Sequence, residues 1–202
     1  NSAASLTSKD RKELSYVELA KLSTSIVMIK VYNSRQEMMC TGSGIMIGKD
    51  GFILTNCHVI SGGYFFEVRI EDDETSHTTD EIIKYNQHLD LAIIRIRRVL
   101  NPLRLYSGNE ALVRGQKVVA IGSPLGLFNS VSDGIISGFR NIENVDMIQF
   151  SAPTSPGSSG GAVLNMYGEV IGISTAGFSE GQNINLAVPY MAIKDFAKSF
   201  IR

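Results

Sequence analysis

Three residues of the kinds needed for acyl transfer to a serine occur in the order His58, Asp90, Ser159. A serine hydroxyl is a weak nucleophile. It needs a neutral imidazole to take its proton and a carboxylate to hold that imidazole in one tautomer. Ser159 lies in Pro156-Gly157-Ser158-Ser159-Gly160-Gly161, a glycine-framed turn directly ahead of the apolar Ala162-Val163. That setting exposes the hydroxyl and leaves backbone N–H groups free to face a developing oxyanion. Gly157 and Ser159 are the expected donors, because Gly157 can take backbone angles closed to other residues. His58 follows the apolar run Phe52-Ile53-Leu54-Thr55, and Asp90 precedes Leu91-Ala92-Ile93-Ile94. Each residue alone has a plainer reading: a polar loop, a satisfied histidine, a turn-ending aspartate. Their joint order is what carries specificity, since it is one of the few orders in which this constellation recurs.

Short strands must position these residues. Residues 26–32 are β-branched and apolar, and Lys49-Asp50-Gly51 reads as a hairpin between Gly44-Ile45-Met46-Ile47-Gly48 and Phe52-Ile53-Leu54-Thr55. Further strands are expected at 64–70, 81–85, 91–97, 117–121, 131–139, 146–151, 162–164, 170–175 and 184–188. Asp10 with Glu13 and Ser15 with Glu18 have capping-box spacing, predicting a helix over 10–22. Pro189 can open a closing helix with Met191, Ile193, Phe196, Ala197 and Phe200 as its apolar stripe. The segment 101–110, with Pro102 and Gly108, reads as a linker between two β units. The expected organisation is an N-terminal segment 1–25, a first β unit 26–105, a second 106–188 and a helix 189–202. His58 and Asp90 fall in the first unit and Ser159 in the second, so a cleft between them would gather all three.

Composition narrows the partners. A net charge of −1 gives no footprint for nucleic acid, and no apolar run is long enough to span a bilayer. The start at Asn1, without an initiator Met or signal-peptide pattern, reads as a processed or trimmed end. Cys40 and Cys57 read as two structural thiols or one bridge, with Cys57 opposite His58 on a strand and so facing a core. His58, His77, His88, Cys40 and Cys57 match no common zinc spacing, so no metal is expected. Residues 71–81, acidic around His77, read as a solvated loop, and Arg95, Arg97 and Arg98 as an outward edge.

The motifs also carry a resemblance. Gly42-Ser43-Gly44, Asp50-Gly51-Phe52-Ile53-Leu54-Thr55-Asn56 and His58-Val59 resemble the histidine segment of chymotrypsin-fold serine proteases of the HtrA/Deg type. Asp90-Leu91-Ala92 is similar to their acid motif, and residues 149–161 align with their serine segment without a gap. The likeness extends from about residue 14 to 197 and continues through Ile121-Gly122-Ser123-Pro124, Gly168-Glu169-Val170-Ile171-Gly172 and Asn185-Leu186-Ala187-Val188-Pro189. It implies an all-β fold of two antiparallel six-stranded barrels with a short N-terminal helix and a C-terminal helix. It also implies serine endopeptidase activity on protein or peptide substrates, without a cofactor.

By the same resemblance, Pro153, Thr154, Ser174, Thr175, Ala176 and Asn185 surround the primary specificity pocket. None is acidic, which implies small or medium uncharged side chains before the cleaved bond. Substrate would add as an extended strand beside Ser174-Thr175-Ala176. Ser158 replaces the family's usual Asn, or the Asp of digestive relatives, and has no charge to pair with a freed N-terminus. The resemblance further implies trimers and favours an extracytoplasmic site over the alternative, a cytoplasmic one. Relatives often continue into PDZ modules, whereas this chain ends soon after the closing helix, so the match is to the protease domain alone. A non-catalytic binding or chaperone-like module on the same fold, and an esterase using the same nucleophile, are the competing readings.

Overall fold

Positions 91–94 are apolar without interruption, which suits a strand buried on both faces. The computed structural model, which describes residues 11–175 and 184–201, accounts for both faces. Strands β1 (Ile26–Tyr32), β2 (Met38–Gly48), β3 (Phe52–Thr55), β4 (Phe65–Ile70), β5 (Ser76–Thr79), β6 (Ile82–Asn86) and β7 (Leu91–Arg95) form one antiparallel sheet. Its order is β5-β4-β1-β2-β3-β7-β6. Strands β8 (Lys117–Gly122), β9 (Ser130–Ile142), β10 (Val145–Phe150), β11 (Ala162–Leu164), β12 (Val170–Ser174) and β13 (Asn185–Pro189) close into an antiparallel barrel. The all-β, chymotrypsin-like architecture is as expected.

One detail differs from two matched six-stranded barrels: the first sheet has seven strands in an open order. The extra strand is β5, which lies in the segment expected to be a loop. Its residues Ser76-His77-Thr78-Thr79 carry no apolar alternation to mark it, and it forms by pairing Glu67 with Thr78 and Val68 with His77. The sheet curls until Thr79 Oγ1 donates to Arg95 O on β7 at 2.6 Å, bringing its two ends together.

Side-chain alternation then builds three cores. Leu91 and Ile93, with Ile45 and Leu54, face Val119, Ile121, Ala162 and Leu164 of the barrel. Ala92 and Ile94 point the other way, into the curl, against Val27, Ile29, Ile53 and Val68. Val118 and Ala120 point into the barrel with Ile136, Phe150 and Val163. Each such Ile or Leu removed from water contributes about 1.5–3 kcal/mol before entropy costs, so the shared layer clamps the two units together.

The helix expected over 10–22 is shorter. α1 (Tyr16–Ala20) starts at a complete capping box, with Glu18 N on Ser15 Oγ at 3.2 Å and Ser15 N on Glu18 Oε2 at 2.7 Å. It tightens into a 3₁₀ turn over Lys21–Ser25, where Ser23, Thr24 and Ser25 favour local bonds over α-helix. Asp10 lies outside the described residues. Leu14 N donates to Met166 O at 2.8 Å, and Arg11 reaches the buried Glu169 at 2.8 Å, tying this segment to the barrel. α2 (Cys57–Ile60) is one turn after β3, and α3 (Tyr190–Ala197) closes the described chain. Ile193, Phe196 and Ala197 of α3 are buried, but Met191 is exposed because two residues along a helix do not share a face. The stretch expected as a linker is anchored to both units: Leu103 N donates to Met46 O at 3.0 Å and Tyr106 N to Val170 O at 2.9 Å. No helix among the described residues is long and apolar enough to cross a membrane.

His77 also departs from a solvated loop, while Arg98 stays exposed as an outward edge residue. His77 Nε2 meets Asp73 Oδ2 at 3.1 Å, Thr75 N donates to Asp73 Oδ1 at 2.9 Å, and Arg98 pairs with the same carboxylate. The His77 bond, then the Thr75 N–H and the Arg98 charge, lower Asp73 from its ordinary 3.8 to about 2. A depressed carboxylate stabilises the fold above its unfolded pKa, and that contribution fades as pH falls through the folded value. Wild type should therefore melt above Asp73→Asn near neutral pH, the gap closing between about pH 4 and pH 2. A gap in melting temperature that does not change with pH would contradict this assignment.

Candidate active site

β3 ends at Thr55, and Asn56 caps the single turn of α2, so His58 is on a helix rather than a strand. This corrects the placement of Cys57. Strand alternation does not apply there, and Cys57 is half-exposed in a cleft of about 480 Å³ beside His58. Cys40 is exposed, and both thiols are free. Burial, and for Cys57 also the Asp90 charge, pushes both thiols up, away from the thiolate form.

Asp90 closes the turn between β6 and β7 with φ +54°, a left-handed conformation that aspartate tolerates better than most residues. Its carbonyl accepts from Asn56 Nδ2 at 2.9 Å and Cys57 N at 3.2 Å, which fixes the turn against α2. Its carboxylate then meets three donors. His58 Nδ1 lies 2.7 Å and Thr175 Oγ1 2.6 Å from Oδ2, and His58 N lies 2.9 Å from Oδ1. Burial pushes the Asp90 carboxyl up, but the His58 ring, the Thr175 hydroxyl and the His58 N–H outweigh it and hold it below its ordinary value. A carboxylate only accepts, so in the neutral imidazole Nδ1 carries the proton and Nε2 presents a lone pair. Among the described residues the His58 ring bonds to Asp90 alone, which leaves Nε2 available.

The serine loop is held from both units. Ser43 N of β2 donates to Ser159 O at 2.8 Å, while Gly160 N donates to Ser174 O at 2.8 Å. Ser174 precedes Thr175, so the end of β12 grips the serine loop with one residue and Asp90 with the next. Leu125 N donates to Pro156 O at 2.6 Å. In a trans peptide the carbonyl and the following N–H point in opposite directions, so the Gly157 N–H is turned away from Leu125. The N–H groups of Gly157 and Ser159 have no protein acceptor among the described residues.

A family model described as a trypsin-like peptidase domain matches residues 42–173, a span that contains His58, Asp90 and Ser159. The chain belongs to the trypsin-like peptidase domain family. Relatives of this peptidase domain include the anti-sigma-I factor RsgI9 of Acetivibrio thermocellus, 33% identical over 188 residues, which are 92% of this chain and 26% of that protein. A Hahella chejuensis protein named "Probable periplasmic serine endoprotease DegP-like" is 35% identical over 161 residues, 76% of this chain and 34% of that protein. The chain thus spans only 26–34% of these curated relatives. The crystal structure of the serine endoprotease from Yersinia pestis matches with a TM-score of 0.81 at 28% identity, covering 95% of this chain and 68% of that one. The HtrA/Deg resemblance stands.

In this trypsin-like peptidase domain the residues expected around a specificity pocket separate into groups. Pro153, Thr154 and Ser174 line one cavity of about 220 Å³ together with Ser155 and Ser158. Asn185 braces it from behind, accepting from Thr154 Oγ1 at 2.7 Å and donating to Ala152 O at 2.9 Å. Thr175 serves Asp90 instead. Ala176 lies outside the described residues. Ser158 is buried, and its Oγ accepts from Ser155 N at 3.3 Å.

Three positions were given no role in the sequence reading beyond membership of a motif: Ser43, Asn56 and Leu125. Ser43 and Asn56 are polar residues at 0% exposure inside or beside apolar strands, and such residues require partners. That is the signal that would have singled them out. Nothing in the sequence marks the backbone N–H of Leu125.

Proposed function

We propose that this protein is a serine endopeptidase acting on unfolded or flexible protein segments. Ser159 attacks the scissile carbonyl carbon while His58 Nε2 takes its proton, and the charge on the carbonyl oxygen is received by the N–H groups of Gly157 and Ser159. Collapse of that intermediate breaks the C–N bond. His58 returns the proton to the leaving amine, and water then hydrolyses the acyl-enzyme by the same proton path. Asp90 holds the imidazole and stabilises its charged form. The observation carrying the reading is the Asp90 carboxylate with its three donors, since it defines the tautomer the reaction needs. The uncharged, hydroxyl-rich 220 Å³ cavity supports a preference for small or medium uncharged side chains. The periplasmic name of the Hahella relative supports an extracytoplasmic site of action.

A second reading, a non-catalytic binding module, is favoured by one observation: a 33% identical relative is named an anti-sigma factor rather than an enzyme. Fluorophosphonate labelling and casein cleavage, each run beside Ser159→Ala, decide between them. Wild type is expected to label and cleave, and the variant to do neither. No labelling and no cleavage at any pH or temperature tried would leave the binding module. Labelling without cleavage would favour an esterase.

A further inference from the structure

We propose that Ser43 is a positioning residue for the oxyanion donors, acting across the boundary between the first sheet and the barrel; this rests on the peptidase reading above. Ser43 is 0% exposed on β2 and uses every hydrogen-bonding group it has. Its N–H donates to Ser159 O at 2.8 Å and its carbonyl accepts from Thr55 Oγ1 at 2.7 Å. Its hydroxyl donates to Gly157 O at 2.8 Å and accepts from Ser123 N at 2.8 Å. A serine has one hydroxyl proton, so the direction of each bond is determined.

Two successive peptide planes flanking Gly157 are thereby held by their carbonyls. Leu125 N holds Pro156 O, which directs the Gly157 N–H, and Ser43 Oγ holds the carbonyl of Gly157 itself. Gly157 has φ +95° and no side chain to resist rotation, so external bonds must keep its N–H in place. Ser43 contributes twice. It holds Gly157 directly, and through Ser123 it holds the turn that carries Leu125. Its backbone N–H fixes the carbonyl of Ser159, whose own N–H is the other donor. Without the hydroxyl, Gly157 O loses its donor and the buried Ser123 N–H loses its acceptor. The Gly157–Ser158 plane then keeps only the bond from Ser158 N to Ser155 O, and the Pro156–Gly157 plane hangs on Leu125 in a less anchored turn, so both are loosened.

The test compares Ser43→Ala and Ser43→Thr with wild type in kcat, KM and fluorophosphonate labelling rate. Removing a whole oxyanion donor costs about 10²–10³ in kcat, so loosening its support in Ser43→Ala should cost about ten- to hundredfold. KM should hold, because the donors act on the transition state. Ser43→Thr, which keeps the hydroxyl, should recover most of the rate. Thr79→Val removes a comparable hydroxyl-to-carbonyl bond at the far edge of the sheet. It should lower the melting temperature without changing kcat. Backbone amide resonances of Gly157 and Ser159 provide a readout independent of turnover, and they should shift or broaden in Ser43→Ala only. Unchanged kcat or unchanged resonances in Ser43→Ala would overturn the proposal. If wild type neither labels nor cleaves, the peptidase reading fails by itself, and the resonances still decide whether Ser43 holds the loop.

Discussion

Asp90→Asn should lower kcat about 10⁴-fold, the size of the acid-to-amide effect in chymotrypsin-fold triads, and should leave the fold intact. The geometry gives the reason. Asp90 accepts from three donors, whereas an asparagine offers one oxygen and one NH₂. With its oxygen kept on the His58 N–H, its NH₂ faces His58 Nδ1 and donates to it. Nδ1 must then be unprotonated, the proton moves to Nε2, and the lone pair that should receive the Ser159 proton is gone. The flipped amide sets its NH₂ against the His58 N–H, donor against donor, and costs that bond. Either way the working tautomer is disfavoured.

Asparagine adopts left-handed backbone at least as readily as aspartate, so the φ of +54° at this turn is retained. Steady-state kinetics on an unfolded substrate, with a thermal melt as control, check both halves of the expectation. A fall of less than tenfold with an unchanged melt would mean that Asp90 does not orient the base.

The candidate trio could be named from the sequence because the proposed chemistry lies in residue type and order, which survive without coordinates. Most strands were legible too, since runs such as 91–94 and 118–121 are apolar on both faces. β5 was not, because its polar residues are held by pairing with β4 rather than by a buried face. Cys57 was misplaced for a related reason: alternation was extended past Asn56, where the chain turns into α2. Thr175 and Ser43 were missed in their roles because those roles exist only across the unit boundary. The Thr175–Asp90 bond spans 85 positions and the Ser43–Gly157 bond 114, and periodicity contains no information about either.

Gly160→Ala is expected to be the most destabilising single-methyl change in the serine loop. Gly160 has φ +89°, and a Cβ there would overlap Ser43 O and lie 2.7 Å from Thr55 Oγ1. Neither neighbour can yield easily. Ser43 and Thr55 are both at 0% exposure on adjacent strands and are bonded to each other at 2.7 Å. The loop must therefore lift from β2, which stretches the bond from Ser43 N to Ser159 O. Left-handed strain of about 1–3 kcal/mol and overpacking of about 1–3 kcal/mol together give roughly 2–6 kcal/mol. For a chain of this length that is a fall in melting temperature of about 10 °C, or failure to fold. Gly115→Ala isolates the strain, because Gly115 has φ +86° and nothing within 4 Å of its would-be Cβ. Calorimetry should find the Gly115 variant losing about half as much, and equal losses would mean that the contact with β2 is not tight. Where Gly160→Ala does fold, its lifted Ser159 should react far more slowly, since a displacement of about 1 Å at a reacting centre can cost 10²-fold.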